Sequence, residues 1–345
     1  MERSPVRQLV VIEGRPEWRN VELSPLKPKF LRVRTLFSGV SQGTELLAFE
    51  LNASPDLPPH PLGYQVAGEV IELGSEGAGG FQVGDRVACY GAPYVSHSQV
   101  VDVPYLLATR VPHAMPLPHA AFCGLGAIAL HAFRVARLSL GEVAVVIGLG
   151  MLGNLIAQFG RIAGCRVVAT DLAQSRAEIA RSVGIEVAPS WDSLVDRVKG
   201  FSMGNGADAV FLAVNRCSEE LLRRATELLR LRGRLVIVGT ADAQLPREAL
   251  FAREAELIVS RAGGPGRYDS NYETACVDYP YGYVRWTEGR NVAEYVRLAA
   301  EGALQVTPLL TDLVPVSEFA KTYESLSSAP EKHLGVVFDW REESV

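Results

Sequence analysis

The 345-residue sequence predicts an α/β protein in which an all-β region precedes a doubly wound parallel sheet. Three observations carry that prediction. Before residue 120 the chain runs in short β-like stretches separated by Gly, Pro and acidic turn signals. From about residue 125 helical and strand periods alternate. Residues 143–171 read VAVVIGLGMLGNLIAQFGRIAGCRVVATD: an apolar run, a glycine turn, a helical stretch, a second apolar run and a terminal acid.

Taken in order, residues 8–13, 30–37 and 66–73 form the first β-like runs, and residues 84–90 (GDRVACY) enter another strand from a turn. Residues 94–103 offer one more. The alternation then places helices at 127–137, 151–163, 175–183 and 218–229, and strands at 143–147, 166–171, 209–213, 234–238 and 256–260. Residues 263–290 break the rhythm with a stretch rich in Gly, Tyr and charge, too irregular for a core element. A helical run at 292–301 follows, and the remaining chain returns to the first domain.

The stretch 143–171 has the grammar of a dinucleotide site. Gly148 allows the tight turn that ends a buried strand, Gly150 removes a side chain where a pyrophosphate approaches the backbone, and Gly153 lets the helix pack close to the strand. Leu149, Met151 and Leu152 complete that turn. The helix N-terminus turns its free N–H groups and positive dipole end toward the phosphates. Asp171, about twenty residues on, can accept both ribose hydroxyl hydrogen bonds and would repel a 2′-phosphate, which favours NAD over NADP. Arg176 sits close enough in sequence to weaken that preference.

Composition narrows the partners. An apolar share of 48% is that of an ordinary globular chain, and a formal charge of −5 with interspersed signs leaves no basic stripe for nucleic acid or for an anionic membrane surface. A small-molecule substrate is the expected partner. Cys89, Cys123, Cys165, Cys217 and Cys276 are odd in number, scattered and without a CxxC pair, so buried reduced thiols in a cytoplasmic protein are expected. The N-terminus has no hydrophobic signal region, and no apolar run reaches the length of a membrane span.

Residues 39–45 (GVSQGTE), 63–70 (GYQVAGEV), 81–87 (FQVGDRV), the glycine fingerprint and the 309–326 tail (LLTDLVPVSEFAKTYESL) together resemble the medium-chain dehydrogenase/reductase superfamily. A closer similarity, carried by 121–130 (AFCGLGAIAL) and 264–291, is to a subgroup of sugar- or cyclitol-related oxidoreductases, some of them half of a larger bidomain protein. The resemblance implies a GroES-like β domain over residues 1–124 and 264–345 and a Rossmann doubly wound parallel sheet over 125–263. It also implies a homodimer, the default for such soluble oligomers.

The departures from zinc-dependent members bear on mechanism. Their motifs supply a Cys, the His of a GHE triplet and a second Cys, whereas this chain has Ser41 or Gln42, then Gly63-Tyr64-Gln65, and only Cys123. No catalytic zinc is expected from one thiolate with neutral oxygen groups. The four-cysteine structural zinc lobe is also missing, since residues 87–104 contain only Cys89, and His97 is read as a hydrogen-bonded histidine near a strand.

Without a Lewis acid, substrate oxygen needs a proton donor and hydrogen bonds. The resemblance puts Tyr64 first in that role, with Thr44 contacting substrate oxygen and Glu45 either a base or an anchor for its loop. Tyr64 filling a vacated metal pocket is the structural alternative. The resemblance also places Val214, Asn215, Val238, Gly239 and Thr240 beside the nicotinamide, at the carboxyl ends of parallel strands where ligands settle. Tyr279, Tyr281, Tyr283, Arg285 and Trp286 suit either a polyhydroxylated or anionic substrate or a subunit interface. The expected reaction is NAD(H)-dependent interconversion of a secondary alcohol and a ketone on a polar metabolite. Quinone or enoyl C=C reduction and a non-catalytic dinucleotide sensor stand as alternatives.

Overall fold

The computed structural model describes residues 5–239 and 244–343. The chain divides into two compact units, one made of Met1–Ala127, Pro265–Gly302 and Leu310–Val345, the other of Ile128–Gly264 and Ala303–Leu309.

In the first unit the long strand Phe30–Gly39 is the organiser. Six of its first eight residues are buried, and it pairs antiparallel with Gln65–Leu73, Val100–Pro104 and Gly335–Asp339. The strands Arg86–Tyr90 and Ala108–Arg110 extend the sheet on one side and Leu310–Pro315 on the other. The C-terminal chain therefore does return to the first sheet. Arg15–Val21, Val6–Ile12 and His60–Pro61 make a smaller sheet. Two cores result: one around Leu31, Val33, Val66, Val87 and Leu107, the other around Leu9, Val11, Tyr323, Phe338 and Trp340.

The second unit is a six-stranded, all-parallel sheet. Its order is Glu186–Val187, Arg166–Thr170, Val143–Ile147, Ala207–Leu212, Leu229–Ile237, Glu256–Val259. Counted within this sheet the order is 3-2-1-4-5-6, the doubly wound arrangement whose switch point falls between Val143–Ile147 and Ala207–Leu212. All five residues of Val143–Ile147 are buried, as a central parallel strand covered on both faces must be.

Several expectations need correction. Ala303–Leu309, assigned from sequence to the β domain, packs with the parallel sheet, because buried Gln158 binds both backbone groups of Gln305 at 2.8 and 3.1 Å. The first unit also runs on to Ala127, inside the helix Cys123–Val135. Residues 94–103 are strand only over Val100–Pro104, the helical run expected at 292–301 begins earlier as Glu288–Ala300, and a helix, Gln42–Leu51, interrupts the β region.

Candidate functional site

The glycine turn is shaped for a phosphate. Val143–Ile147 ends at Gly148, whose φ of +93° only glycine adopts cheaply, and a carbon added there would lie 2.5 Å from the Ala213 carbonyl oxygen. At Gly153 an added carbon would lie 1.8 Å from the Gly148 oxygen, so helix Met151–Ile162 packs on the strand only because that residue has no side chain. At Gly150 an added carbon meets nothing within 4 Å. That open space lies at the helix N-cap, where no side chain satisfies the first-turn N–H groups. These residues fit a dinucleotide pyrophosphate.

Asp171 lies just beyond the end of Arg166–Thr170. Its carboxylate accepts from the Leu149 N–H at 2.5 Å and from the Ala173 N–H at 2.7 Å, which holds it against the glycine turn. Arg176 lies on the next helix, Gln174–Ser182. Val214 and Asn215 follow strand Ala207–Leu212, and Val238 and Gly239 follow Leu229–Ile237. The two loops touch, since a carbon added at Gly239 would lie 2.1 Å from the Val214 oxygen. The expected cofactor residues of the described chain thus share the carboxyl edge of one sheet. Thr240 lies outside the described residues.

The second constellation belongs wholly to the β unit. Tyr64 Oη donates to Ser41 Oγ at 2.7 Å, and Ser41 Oγ donates to Thr44 Oγ1 at 3.2 Å. Tyr64 is half-buried and Thr44 exposed, so three hydroxyls run from the phenol to the surface of the unit. Burial holds the Tyr64 phenol well above its ordinary value, with the Ser41 hydrogen bond pulling more weakly the other way. The phenol therefore stays protonated over the whole neutral range, with a hydrogen to offer.

Glu45 fixes this chain of hydroxyls from below. It is 2% exposed; one oxygen accepts from the Ser41 N–H at 2.7 Å, the other meets His97 Nε2 at 3.1 Å and the Tyr323 hydroxyl at 2.5 Å. Burial alone would raise its pKa, but His97, Tyr323 and the Ser41 N–H together hold it below the usual carboxylate range. Both oxygens are committed, so Glu45 is a positioning residue and the reading of it as a base is set aside. His97 in turn meets Ser38 Oγ at 2.7 Å, which also accepts from Trp340 Nε1 at 2.8 Å. Tyr323 and Trp340 lie too far along the chain from residue 45 for any local pattern to have found them.

A zinc ion does not suit this donor set. Cys123 donates its thiol proton to the Cys89 carbonyl at 3.2 Å, and burial pushes that thiol up to about 12. The Gln65 amide is spent on Gly39 and the Leu125 N–H. Among the described residues no group of three His, Cys, Asp or Glu side chains is placed to hold a metal.

The segment Pro265–Gly302 carries the remaining expected residues. Tyr279 Oη donates to Asp269 at 2.5 Å, and its ring lies 5.7 Å from that of Tyr272. The Arg285 guanidinium stacks on Trp286 at 3.7 Å and on Tyr281 at 4.5 Å. The structure joins Tyr64 to Thr44 through Ser41; Tyr279, Arg285 and Trp286 are engaged with neighbours in their own segment. Unforeseen from sequence is a buried group beside them: Arg267, Glu273 and Glu288.

The zinc-binding dehydrogenase family matches residues 151–275. The 2-dehydro-3-deoxy-L-galactonate 5-dehydrogenase of Pseudoalteromonas atlantica is 24% identical over 302 residues, spanning 79% of this chain and 81% of the relative. The D-guloside 3-dehydrogenase of Escherichia coli is 26% identical over 347 residues, spanning 89% and 93%. A solved structure of a short chain alcohol dehydrogenase from Escherichia coli CFT073, complexed with NADH, aligns with a TM-score of 0.77 at 15% identity, covering 98% of this chain and 100% of the other. That likeness shows the fold, a GroES-like β unit and a Rossmann sheet.

Proposed function

This chain belongs to the medium-chain dehydrogenase/reductase superfamily of oxidoreductases, and we propose that it interconverts a secondary alcohol and a ketone on a sugar- or cyclitol-like metabolite, with NAD(H) and without a catalytic zinc. The observation that carries this reading is the hydrogen-bonded run Tyr64–Ser41–Thr44, in which Tyr64 and Ser41 hold positions that the family resemblance implies for metal ligands.

The residues of the second unit would hold the coenzyme: Gly148, Gly150 and Gly153 admit the pyrophosphate, and Asp171 receives the ribose hydroxyls. When bound, the nicotinamide ring exchanges a hydride with a substrate carbon. The β unit handles the oxygen. In ketone reduction Tyr64 Oη gives its proton to the developing alkoxide, and solvent returns one to it through the exposed Thr44 hydroxyl and then Ser41. Glu45, held by His97 and Tyr323, keeps Ser41 in place. In alcohol oxidation the same protons move the other way.

Two relatives named as dehydrogenases of sugar derivatives support the polar substrate class. The test is a panel of polyol-derived ketones and of enones, each offered with NADH and with NADPH and read by loss of nicotinamide absorbance. Turnover of the ketones with NADH is expected. Turnover of enones alone moves the assignment to C=C reduction, and tight NADH binding without turnover of either class moves it to a sensor.

A further inference from the structure

Glu288 is the most unusual ionisable group in the β unit. It occupies the first position of helix Glu288–Ala300, is 0% exposed, and neither of its oxygens meets a hydrogen-bond donor. A helix N-terminus favours a carboxylate, and water normally pairs with one placed there. Here the surroundings are closed. Arg267 gives its guanidinium to Glu273 at 2.5 Å and to the Ala92 carbonyl at 2.7 Å, and the Tyr268 N–H also donates to Glu273 at 3.0 Å. One cation is thus already matched by one carboxylate before Glu288 is counted.

The ionisable groups facing Glu288 come from every element around it: Glu273 and Tyr272 from helix Ser270–Glu273, Arg267 from the turn before it, Tyr279 from the loop after it, and Tyr90 from strand Arg86–Tyr90. The three phenols are held in their neutral form, so the balance lies among two acids and one guanidinium. A single proton between Glu273 and Glu288 provides the hydrogen bond that the Glu288 oxygens lack and leaves the buried group electrically neutral.

These residues also tie three stretches together. The Glu288 N–H donates to the Pro265 carbonyl at 2.8 Å, Tyr272 Oη donates to Thr287 Oγ1 at 2.9 Å, and a carbon added at Gly289 would lie 2.1 Å from the Leu106 carbonyl oxygen. Tyr272 is part of the core that includes Val95 and Leu107. The seam on which the segment is seated is therefore the place where the extra acid is buried.

We propose that Arg267, Glu273 and Glu288 form a proton-gated lock on the segment Pro265–Gly302. With one proton shared by the two carboxyls, the segment stays seated on the β core. Loss of that proton leaves two buried carboxylates facing one guanidinium, and the segment bearing Tyr279, Arg285 and Trp286 loosens. Burial, with the Glu273 charge adding to it, pushes the Glu288 carboxyl up to about 8, which sets the working range just above neutrality.

The test is amide hydrogen exchange of the full chain at pH 6.5 and 9.5, corrected for intrinsic rates and referenced to peptides from the parallel sheet. Wild type is expected to lose protection across Pro265–Gly302 by about tenfold or more at the higher pH, with the reference unchanged. Glu288→Gln, which mimics the protonated acid, is expected to keep it. Equal protection of the wild type at both values, or an equal loss in the variant, overturns the lock. Should the variant not fold, infrared spectra of wild type decide. A protonated-carboxyl band that fades with a midpoint near pH 8, together with the loss of protection, supports the lock; no such band at pH 6.5 refutes it. The readout is independent of turnover, so the lock and the proposed reaction fail separately.

Discussion

At the scale of single residues, two buried carboxylates of the β unit are set in opposite directions by their neighbours. Glu45 is held below its ordinary value by His97, Tyr323 and the Ser41 N–H despite its burial, so its contribution to stability is fully present above the unfolded carboxylate pKa and is lost as pH falls through its folded value. Glu45→Gln removes the carboxylate shared by His97, Tyr323 and the Ser41 N–H and is expected to cost about 1–3 kcal/mol at pH 7. Chemical denaturation checks this, and a loss of less than about 0.5 kcal/mol would contradict the network. Glu288 has the reverse sign. Its folded value is raised from 4.5 to about 8, so the unfolded chain ionises first and stability declines as pH rises between those values. Glu288→Gln is expected to gain a few kcal/mol at pH 7.5, at about 1.4 kcal/mol per pKa unit, and nothing at pH 4. A gain of equal size at both pH values would refute the assignment. Tyr64→Phe deletes the proposed proton donor while keeping the ring, which rests edge-on at 5.8 Å against Tyr90. Its kcat is expected to fall about a hundredfold with little change in Tm.

At the scale of elements, what could be read from sequence follows how local the cause is. The glycine turn, its flanking strands and Asp171 were legible because each property is fixed within a few residues: an apolar run for a buried strand, no side chain at Gly153 where the Gly148 oxygen passes, an acid at the next strand end. Helix Gln42–Leu51 was not legible. Its one fully buried residue is Glu45, so it carries no apolar stripe, and its position is dictated by the polar contacts of that side chain. Tyr64 and Thr44 are singled out in the sequence only through family resemblance, each toward the substrate oxygen, and nothing in the sequence points to the Ser41 oxygen that joins them. The lock residues Arg267, Glu273 and Glu288 were invisible because turns, not periodicity, bring them together. The turn itself gives a two-sided prediction. Gly150→Ala adds a methyl into open space and is expected to leave stability within about 1 kcal/mol while weakening NADH binding at least tenfold. Gly153→Ala forces the helix off the strand and is expected to cost about 1–3 kcal/mol as well as coenzyme affinity. Calorimetry and fluorescence titration of the pair separate contact with coenzyme from packing of the fold.

At the scale of the molecule, each unit carries its own constellation. As proposed, the parallel sheet would hold the coenzyme along the edge formed by Gly148, Asp171, Val214 and Gly239, and the β unit carries the hydroxyl chain and the segment with the lock. No helix among the described residues is long and apolar enough to cross a membrane. In the proposed reaction neutral hydroxyl groups, Tyr64 foremost, do the work for which zinc-dependent members of the superfamily recruit a metal. Steady-state ketone reduction with NADH after exhaustive chelation, using protein whose zinc content has been measured, decides this. Undiminished turnover at substoichiometric zinc is expected. Loss of turnover on chelation, restored by one equivalent of zinc bound at Cys123, would contradict it.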